Sequence, residues 1–551
     1  MIRDEKMRKQ ISSQSGFATL IALIMLAMLS LIGLAAVSTS DDDANIAGNG
    51  LQEMRAFYAA EAGLERAAAA LETEYDSTGA PPTVMPSGTE VVNGCQVTYA
   101  SATDGVAEQR TLTHGTLTGL HALVNSFSLT SVAVNAADRA KVETAQTFET
   151  ALVPIFQFAV FYGNDLEIAP GPAMDLIGRV HTNGSLWIQA DNELRMDSYV
   201  TAAGSILHGR KGAGGVSSGD ILIKDANGNH VSMKEGAGWL EATDAHWYDS
   251  SVARWQGRVQ DSTHGQQALN VPLTQDAAGD PHKLIEPSAG NPDSYETKAA
   301  LKFIDRRAYQ KADTLWVDVT DSMISTGVIS FTNNKFTDQR EAKNVDLMEL
   351  DIGKMYDEGF DPSSGVIYCS DRSAGPDFPA VRVFNADELD DGLTIASENP
   401  VYTLGDYNSV DKKPAAILAD AVTFLSSAWD DSKSAGSKDY RIAVNTTVNA
   451  SYLTGNIETT VSNYNGGFEN LPRFLETWSG KDFNWSGSAV NLWSSVQATG
   501  TWNGTYYSPP DRNWLYDTDL DDPTNLPPET PVIRVFQRTG WKQEYVGYSG
   551  E

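Results

Sequence analysis

Cysteine is nearly absent. The 551 residues hold two, Cys95 and Cys369. So few thiols exclude a disulfide-framed scaffold, and with eight scattered histidines they exclude a Cys/His zinc site. The pair fits either two buried thiols or one disulfide joining distant parts of the chain, which an oxidising compartment permits if the Cα atoms come within about 7 Å. Positive charge is also scarce, with 40 Lys and Arg against 72 Asp and Glu and a net charge of −32. A surface so acidic repels a polyanion, so no nucleic acid is expected as a partner. Low hydrophobicity, the mark of disorder, is missing too: 41% of residues are hydrophobic and 12 are Trp, the profile of a folded, turn-rich chain. The length exceeds one ordinary core, so one long stacked domain or two to three compact domains are expected, mostly β after the N-terminal region.

Charge is missing altogether from Phe17 to Val37, a run that includes Ile21 and Leu31. About 20 apolar residues as a helix cross the hydrocarbon core of a bilayer. Arg3, Lys6, Arg8 and Lys9 precede the run and Asp41, Asp42 and Asp43 follow it, which keeps residues 1–16 in the cytoplasm and places everything downstream outside. A secretory signal peptide has a shorter apolar core and a small-residue cleavage site after it. Here a glycine, Gly16, stands before it.

The helix is expected to continue to about residue 78, because the stretch is rich in Ala, Leu, Glu and Arg. Ile46, Phe57, Ala60, Leu64 and Ala68 recur at helical spacing on one side. Gly48 and Gly50 each cost about 1 kcal/mol relative to Ala, so a bend or melted turn is expected between the two halves. Three prolines in residues 79–90 end the helix in a linker.

A basic leader, Gly16-Phe17 and a long apolar helix resemble the class III signal of type IV pilins, which a prepilin peptidase cuts after the glycine. Ile46-Ala47-Gly48-Asn49, followed by Phe57, Tyr58, Glu61, Gly63, Leu64 and Glu65, closely resembles the N-terminal domain of the PilX family of type IV pilus assembly proteins. The resemblance covers roughly the first 70 residues. It implies cleavage between Gly16 and Phe17, insertion in the bacterial inner membrane, and other pilin and minor pilin subunits as helix-packing partners. Most major pilins carry a glutamate at the fifth mature position, where this chain has Ile21. Members of the PilX group and the tip subunit of type II secretion pseudopili lack it, which implies an end position in a filament.

Cys95 to Tyr99 and Ser126 to Val134 alternate polar and apolar residues as half-buried strands do, while 140–152 reads as a strand or a short helix. Residues 91–152 are expected to form a small pilin-like sheet beside the helix. From 153 to 551, short β runs separated by Gly, Asn and Asp recur about every 20 residues, the texture of a right-handed parallel β-helix, with a polar insertion at about 225–320. A β-sandwich shares this texture and is the alternative. Gly178 to Ile188, Gly392 to Asn408, Tyr464 to Gly480 and Tyr507 to Leu520 resemble a large domain of uncharacterised function found behind PilX-type N-termini.

Catalytic chemistry is thin. Gly215 to Gly219 spells G-x-S-x-G, but a glycine-rich loop surrounds it where a hydrolase elbow needs a strand and a helix. His181, in Val-His-Thr-Asn-Gly, reads as a structural histidine bonded to a turn. Asp517, Asp519 and Asp521 alternate as in a calcium loop, but Asp522 and Pro528 stand where an EF-hand needs Gly and Glu, leaving a nonstandard Ca²⁺ site as the candidate. Trp478, Trp485, Trp493, Trp502 and Trp514 either cap the end of the stack and pack subunits or stack on sugars. No enzyme activity is expected. A surface adhesin or glycan binder, and a polysaccharide-active β-helix enzyme, are the alternatives to pilus assembly.

Overall fold

The computed structural model describes residues 2–78, 81–135, 140–212, 215–269, 271–272, 280–288, 290–373, 378–460, 464–502 and 504–545. Helix side chains are described from Gly16 to Tyr75, so those of residues 1–15, the leader, lie outside the described ones, as do parts of the 79–90 linker and of the 209–220 glycine loop. The protein is mainly β with a long N-terminal helix.

That helix, α1 (Ile2–Thr78), runs unbroken for 77 residues, about 115 Å. No melted turn interrupts it at Gly48 and Gly50. A glycine lowers helix propensity without removing an N–H donor, and the long Ala- and Leu-rich flanks carry the helix through.

Beside α1 lies an antiparallel sheet of β1 (Ser87–Val92), β2 (Cys95–Thr103), β3 (Glu108–Thr111), β4 (His121–Asn135) and β5 (Lys141–Pro154). Burial alternates along β4, so one face meets the helix. A sixth strand comes from far away: Val532–Tyr545 pairs with β5 along its length, Ile533 opposite Val153 and Tyr545 opposite Val142. The sequence reading assigned this segment to the large body. Its alternation of apolar and polar residues is strand-like in either setting, and only the tertiary pairing distinguishes them.

Everything between β5 and that last strand is an insertion into the sheet, and its two ends touch: the Ile155 N–H donates to the Pro531 carbonyl at 2.9 Å. The inserted body is built mostly from parallel pairs. Val160, Val180 and Val200 align across neighbouring strands, as do Leu166, Leu186 and Ile206, and Met174 and Leu194 with Ile221 beyond them. These residues are buried in one core. Early turns thus place one strand in each of three parallel stacks, with partners 20 residues apart at His181 and Thr201.

The largest stack is not laid down in chain order. It starts in the middle at Phe158–Tyr162 and grows outward through Arg179–Thr182 and Val200–Ala202 to Val259–Gln260. The chain then crosses to the opposite end and restarts at Leu301–Ile304. From there it returns through Val366–Ser370, Leu393–Ser397, Ala415–Ala419 and Ser451–Thr454 to Ala489–Asn491, which pairs with Phe158–Tyr162. The region read as a polar insertion, 225–320, therefore holds members of the stack at both ends, with the crossing between them. Tyr368 pins the crossing by donating to the Ile285 carbonyl at 2.9 Å, and His282 of the crossing lies 3.6 Å from the buried Asp420 of the stack.

Candidate assembly site on the N-terminal helix

Two halves of α1 do different things. From Phe17 to Val37 the large apolar side chains are left exposed: Phe17 is 66% exposed, Leu31 66% and Val37 59%, with Ile21 lowest at 39%. This stretch is long and apolar enough to cross a membrane, with a mean hydropathy of 2.8 over its window and none of it buried. Leaving such a surface in water is strongly unfavourable, so it needs an apolar surrounding.

The second half is seated. Ala56, Ala59, Ala60, Leu64, Ala67, Ala68, Leu71 and Tyr75 follow a spacing of three and four residues and are at most 3% exposed. They pack on Val97, Phe127, Leu129 and Phe148 of the sheet. Small side chains let the helix axis come close. Gly63 is the tightest point, where an added Cβ would stand 2.3 Å from Ser131 Oγ and 2.7 Å from Val97 Cγ1.

The C-terminal strand then locks the helix from the side. Arg538 binds both carboxylate oxygens of Glu65, a hydrogen-bonded pairing that lowers the Glu65 pKa and raises that of Arg538. Trp541 Nε1 donates to Glu61 at 2.9 Å, and its ring meets Phe57 edge-on at 6.3 Å. Arg534 donates to the Tyr75 carbonyl at 2.6 Å, and Phe536 meets the Tyr75 ring at 6.0 Å. Burial raises the Tyr75 pKa.

The motif read from the sequence thus divides by direction. Gly63 and Leu64 face the sheet and Phe57 packs partly against it; Glu61 and Glu65 hold the last strand. Ile46, expected on the buried side, is 69% exposed, and Tyr58 is 59% exposed; Ala47, Gly48 and Asn49 are also exposed. Coverage by the sheet thins out before Ala56, its last hold being the Asn135 amide donating to Gln52 at 3.4 Å, and the helix from Gly16 to Asn49 is exposed. Arg534, Phe536 and Arg538 were not singled out in the sequence. Their near-alternation was the available signal, blurred by a bulge between Arg538 and Gly540.

Other sequence candidates are placed differently from expectation. Cys95 lies under the helix with Ala56 and Ala133, whereas Cys369 lies in the core of the body; both are free, so the candidate disulfide is not formed. Trp478, Trp485, Trp493 and Trp514 are at most 5% exposed. Trp478 meets Phe474 and Phe483 edge-on, and Trp485 meets Trp514 at 6.0 Å. Trp502 is partly buried and donates to the Tyr507 hydroxyl at 3.0 Å. The four buried rings fill the interior and have no free face for a sugar. The calcium candidates are also engaged: Lys412 Nζ lies 2.8 Å from Asp517 and from Asp519, and Asp521 accepts from the Tyr516 hydroxyl at 2.8 Å. The ammonium supplies the counter-charge that a cation would have brought. His181 is fully buried and bonded to Thr201 Oγ1 at 2.8 Å and Asn183 Oδ1 at 3.0 Å, with burial pushing its pKa down to about 4. Its partners are side chains rather than the turn backbone.

Comparison with known proteins adds a family at the N-terminus. Among solved structures, the chain is similar to the competence-associated pilin ComZ from Thermus thermophilus, at 12% identity over 90% of this chain and 98% of that one, with a TM-score of 0.29. That score is too low to support an argument about the fold. No curated protein sequence matches the chain. The family model described as PilX N-terminal matches residues 15–65, the apolar run and the motif up to Glu65. Those residues are similar to the PilX N-terminal family, and the β-rich remainder of the chain lies beyond the match.

Proposed function

We propose that this chain is a non-enzymatic, minor pilin-like protein of type IV pilus assembly. It is inserted in the bacterial inner membrane by residues 17–37, and its β body is extracytoplasmic and displayed at one end of a filament. A prepilin peptidase removes residues 1–16 on the cytoplasmic side, between Gly16 and Phe17. The partners are other pilin and minor pilin subunits, whose helices pack around the apolar half of α1. The body is a right-handed parallel β-helix; its runs of parallel pairing support this over a sandwich of antiparallel sheets.

The observation that carries the reading is the division of α1. One half is seated on the chain's own sheet, and the other is a bare apolar rod with exposed Ile46 and Tyr58 just beyond it. Such a rod suits a membrane first and a bundle of like helices afterwards. Ile21, standing where most major pilins carry a glutamate, supports an end position. The adhesin reading loses its proposed aromatic platform, because those tryptophans are interior.

N-terminal sequencing of the mature protein from membranes tests the first step, with Phe17 as the expected first residue. Deleting the gene tests the second: pili counted by electron microscopy should fall in number. Normal pili in the deletion strain would overturn the assembly role, and an intact Met1 would overturn the processing.

A further inference from the structure

The two runs of the body meet where Phe158–Tyr162 lies beside Ala489–Asn491, with Tyr162 opposite Asn491. Next to that pair, the seam holds a cavity of about 20 Å³, room for one water or one ion. Tyr162, Asp165, Glu167 and Lys211 line it from the first run, and Glu458 and Trp493 from the second.

Three of these groups are buried with no hydrogen-bond partner in the chain. They are both carboxylate oxygens of Glu167 at 6% exposure, the hydroxyl of Tyr162 at 2% and the indole N–H of Trp493 at 4%. Burial first and the neighbouring Glu469 second raise the Glu167 pKa to about 7, against the weaker downward pull of Arg210, Thr459 and Lys211, and neither carboxylate oxygen closes a hydrogen bond. Glu469 is itself engaged by the Ala169 N–H at 2.8 Å. Lys211 does not serve Glu167 either, because its ammonium is held by Asp165 at 2.8 Å and by Glu458. A buried carboxylate without a partner is costly and calls for a proton or a counter-charge. Three carboxylates (Asp165, Glu167, Glu458) and one ammonium (Lys211) leave two negative charges on the ionised wall.

We propose that this cavity is a divalent-cation site of the hard, oxygen-ligated kind that takes Ca²⁺, and that the ion clasps the two runs of the body across their seam. The wall has no His or Cys, its charge is that of a divalent partner, and its room is that of a single ion. Among the described residues, no three His, Cys, Asp or Glu side chains converge as a ligand set. Glu167 therefore supplies the charged ligands, and neutral oxygens, Tyr162 and solvent complete the shell. A water of that shell also gives the Trp493 N–H its acceptor. So few charged ligands imply a dissociation constant of about 10⁻⁴–10⁻³ M.

The test uses the full chain in detergent, stripped with EDTA and titrated with Tb³⁺, whose luminescence is excited through nearby tryptophan, then with Ca²⁺ as competitor. One saturable Tb³⁺ signal per chain, displaced by Ca²⁺, is expected. Glu167→Gln should weaken it roughly tenfold or more, and Tyr162→Phe should weaken it measurably. Ca²⁺ should raise the unfolding temperature of the wild type and leave Glu167→Gln unmoved. Asp519→Asn should titrate like the wild type. The proposal is overturned if the wild type binds no ion by about 10 mM, if Glu167→Gln binds like the wild type, or if Asp519→Asn alone abolishes binding. Should Glu167→Gln fail to fold by circular dichroism, Tyr162→Phe decides on the same criterion, and wild-type binding in it would overturn the proposal.

Discussion

Arg538 grips Glu65 across 473 residues of sequence, one guanidinium nitrogen to each carboxylate oxygen. The pair joins the last strand of the chain to its first helix, over a body inserted between β5 and that strand. Both side chains are about half exposed, at 46% and 54%, so solvent screening keeps its worth small. Arg538→Ala is expected to cost about 0.5–1 kcal/mol by urea unfolding. Trp541→Ala, which removes the bond to Glu61 and the edge contact with Phe57, should cost more. Hydrogen exchange should quicken in the last strand and β5 before the rest of the sheet. Exchange unchanged in both variants would mean that the clamp does not hold the strand.

Gly63 sits where the helix comes closest to the sheet. Replacing it with Ala improves helix propensity by about 1 kcal/mol, yet the new methyl group would stand 2.3 Å from Ser131 Oγ. Overpacking of this kind costs about 1–3 kcal/mol, so a net loss is expected. Ser131→Gly removes the nearer of the two clashes and should recover part of the loss in the double variant. If Gly63→Ala proved as stable as the wild type in urea, the close approach would not be limiting.

Leu29 is 66% exposed in the middle of the apolar half of α1. An arginine at the centre of a membrane helix costs about 2.5–3.5 kcal/mol on insertion scales. Leu29→Arg should therefore shift the protein from the membrane pellet to the soluble or degraded fraction. The body should stay folded, as read by protease resistance of the region beyond residue 81, because none of its cores includes Leu29. Unchanged fractionation would count against residues 17–37 as the anchor.

Much of this was legible locally. The apolar run, the prolines that end α1 and the 20-residue texture of the first turns are properties of short windows. Phe57, Ala60, Leu64 and Ala68 fell on a helical face that the periodicity of the sequence already marked, whereas Ile46 of the same series is exposed. What escaped is nonlocal. That Val532–Tyr545 belongs beside β5 depends on pairing over hundreds of residues, and that Ala489–Asn491 returns to Phe158–Tyr162 depends on where the crossing lands. The tryptophans left two readings open for a related reason. A density of Trp, Asn and Gly reads equally as an exposed sugar platform or an interior packed between strands, and only burial separates the two. Glu167 went unnoticed because an isolated Glu in a strand has no pattern; its meaning comes from partners that the fold withholds.

The acid response of the body should carry the signature of His181. Its pKa lies near 4 in the folded state, driven down by burial, against 6.5 for the free side chain. Below pH 6.5 the unfolded chain takes up a proton that the folded chain refuses, so stability falls as pH drops from about 6.5 to about 4 and is whole above that window. The difference of about 2.5 units is worth about 3 kcal/mol at the low end, with little screening because the ring is fully buried. Glu167 and Glu476, with folded pKa values raised to about 7, slope the other way: they lose stability as pH rises from about 4.5 to about 7. The wild-type curve therefore mixes opposing trends. Subtracting His181→Gln isolates the histidine, since the acids are common to both proteins. The wild-type advantage in unfolding free energy should shrink steadily from pH 7 to pH 4. A difference that stays flat across that range would mean that the ring is protonated in the folded protein as readily as in the unfolded one, and that burial does not hold it neutral.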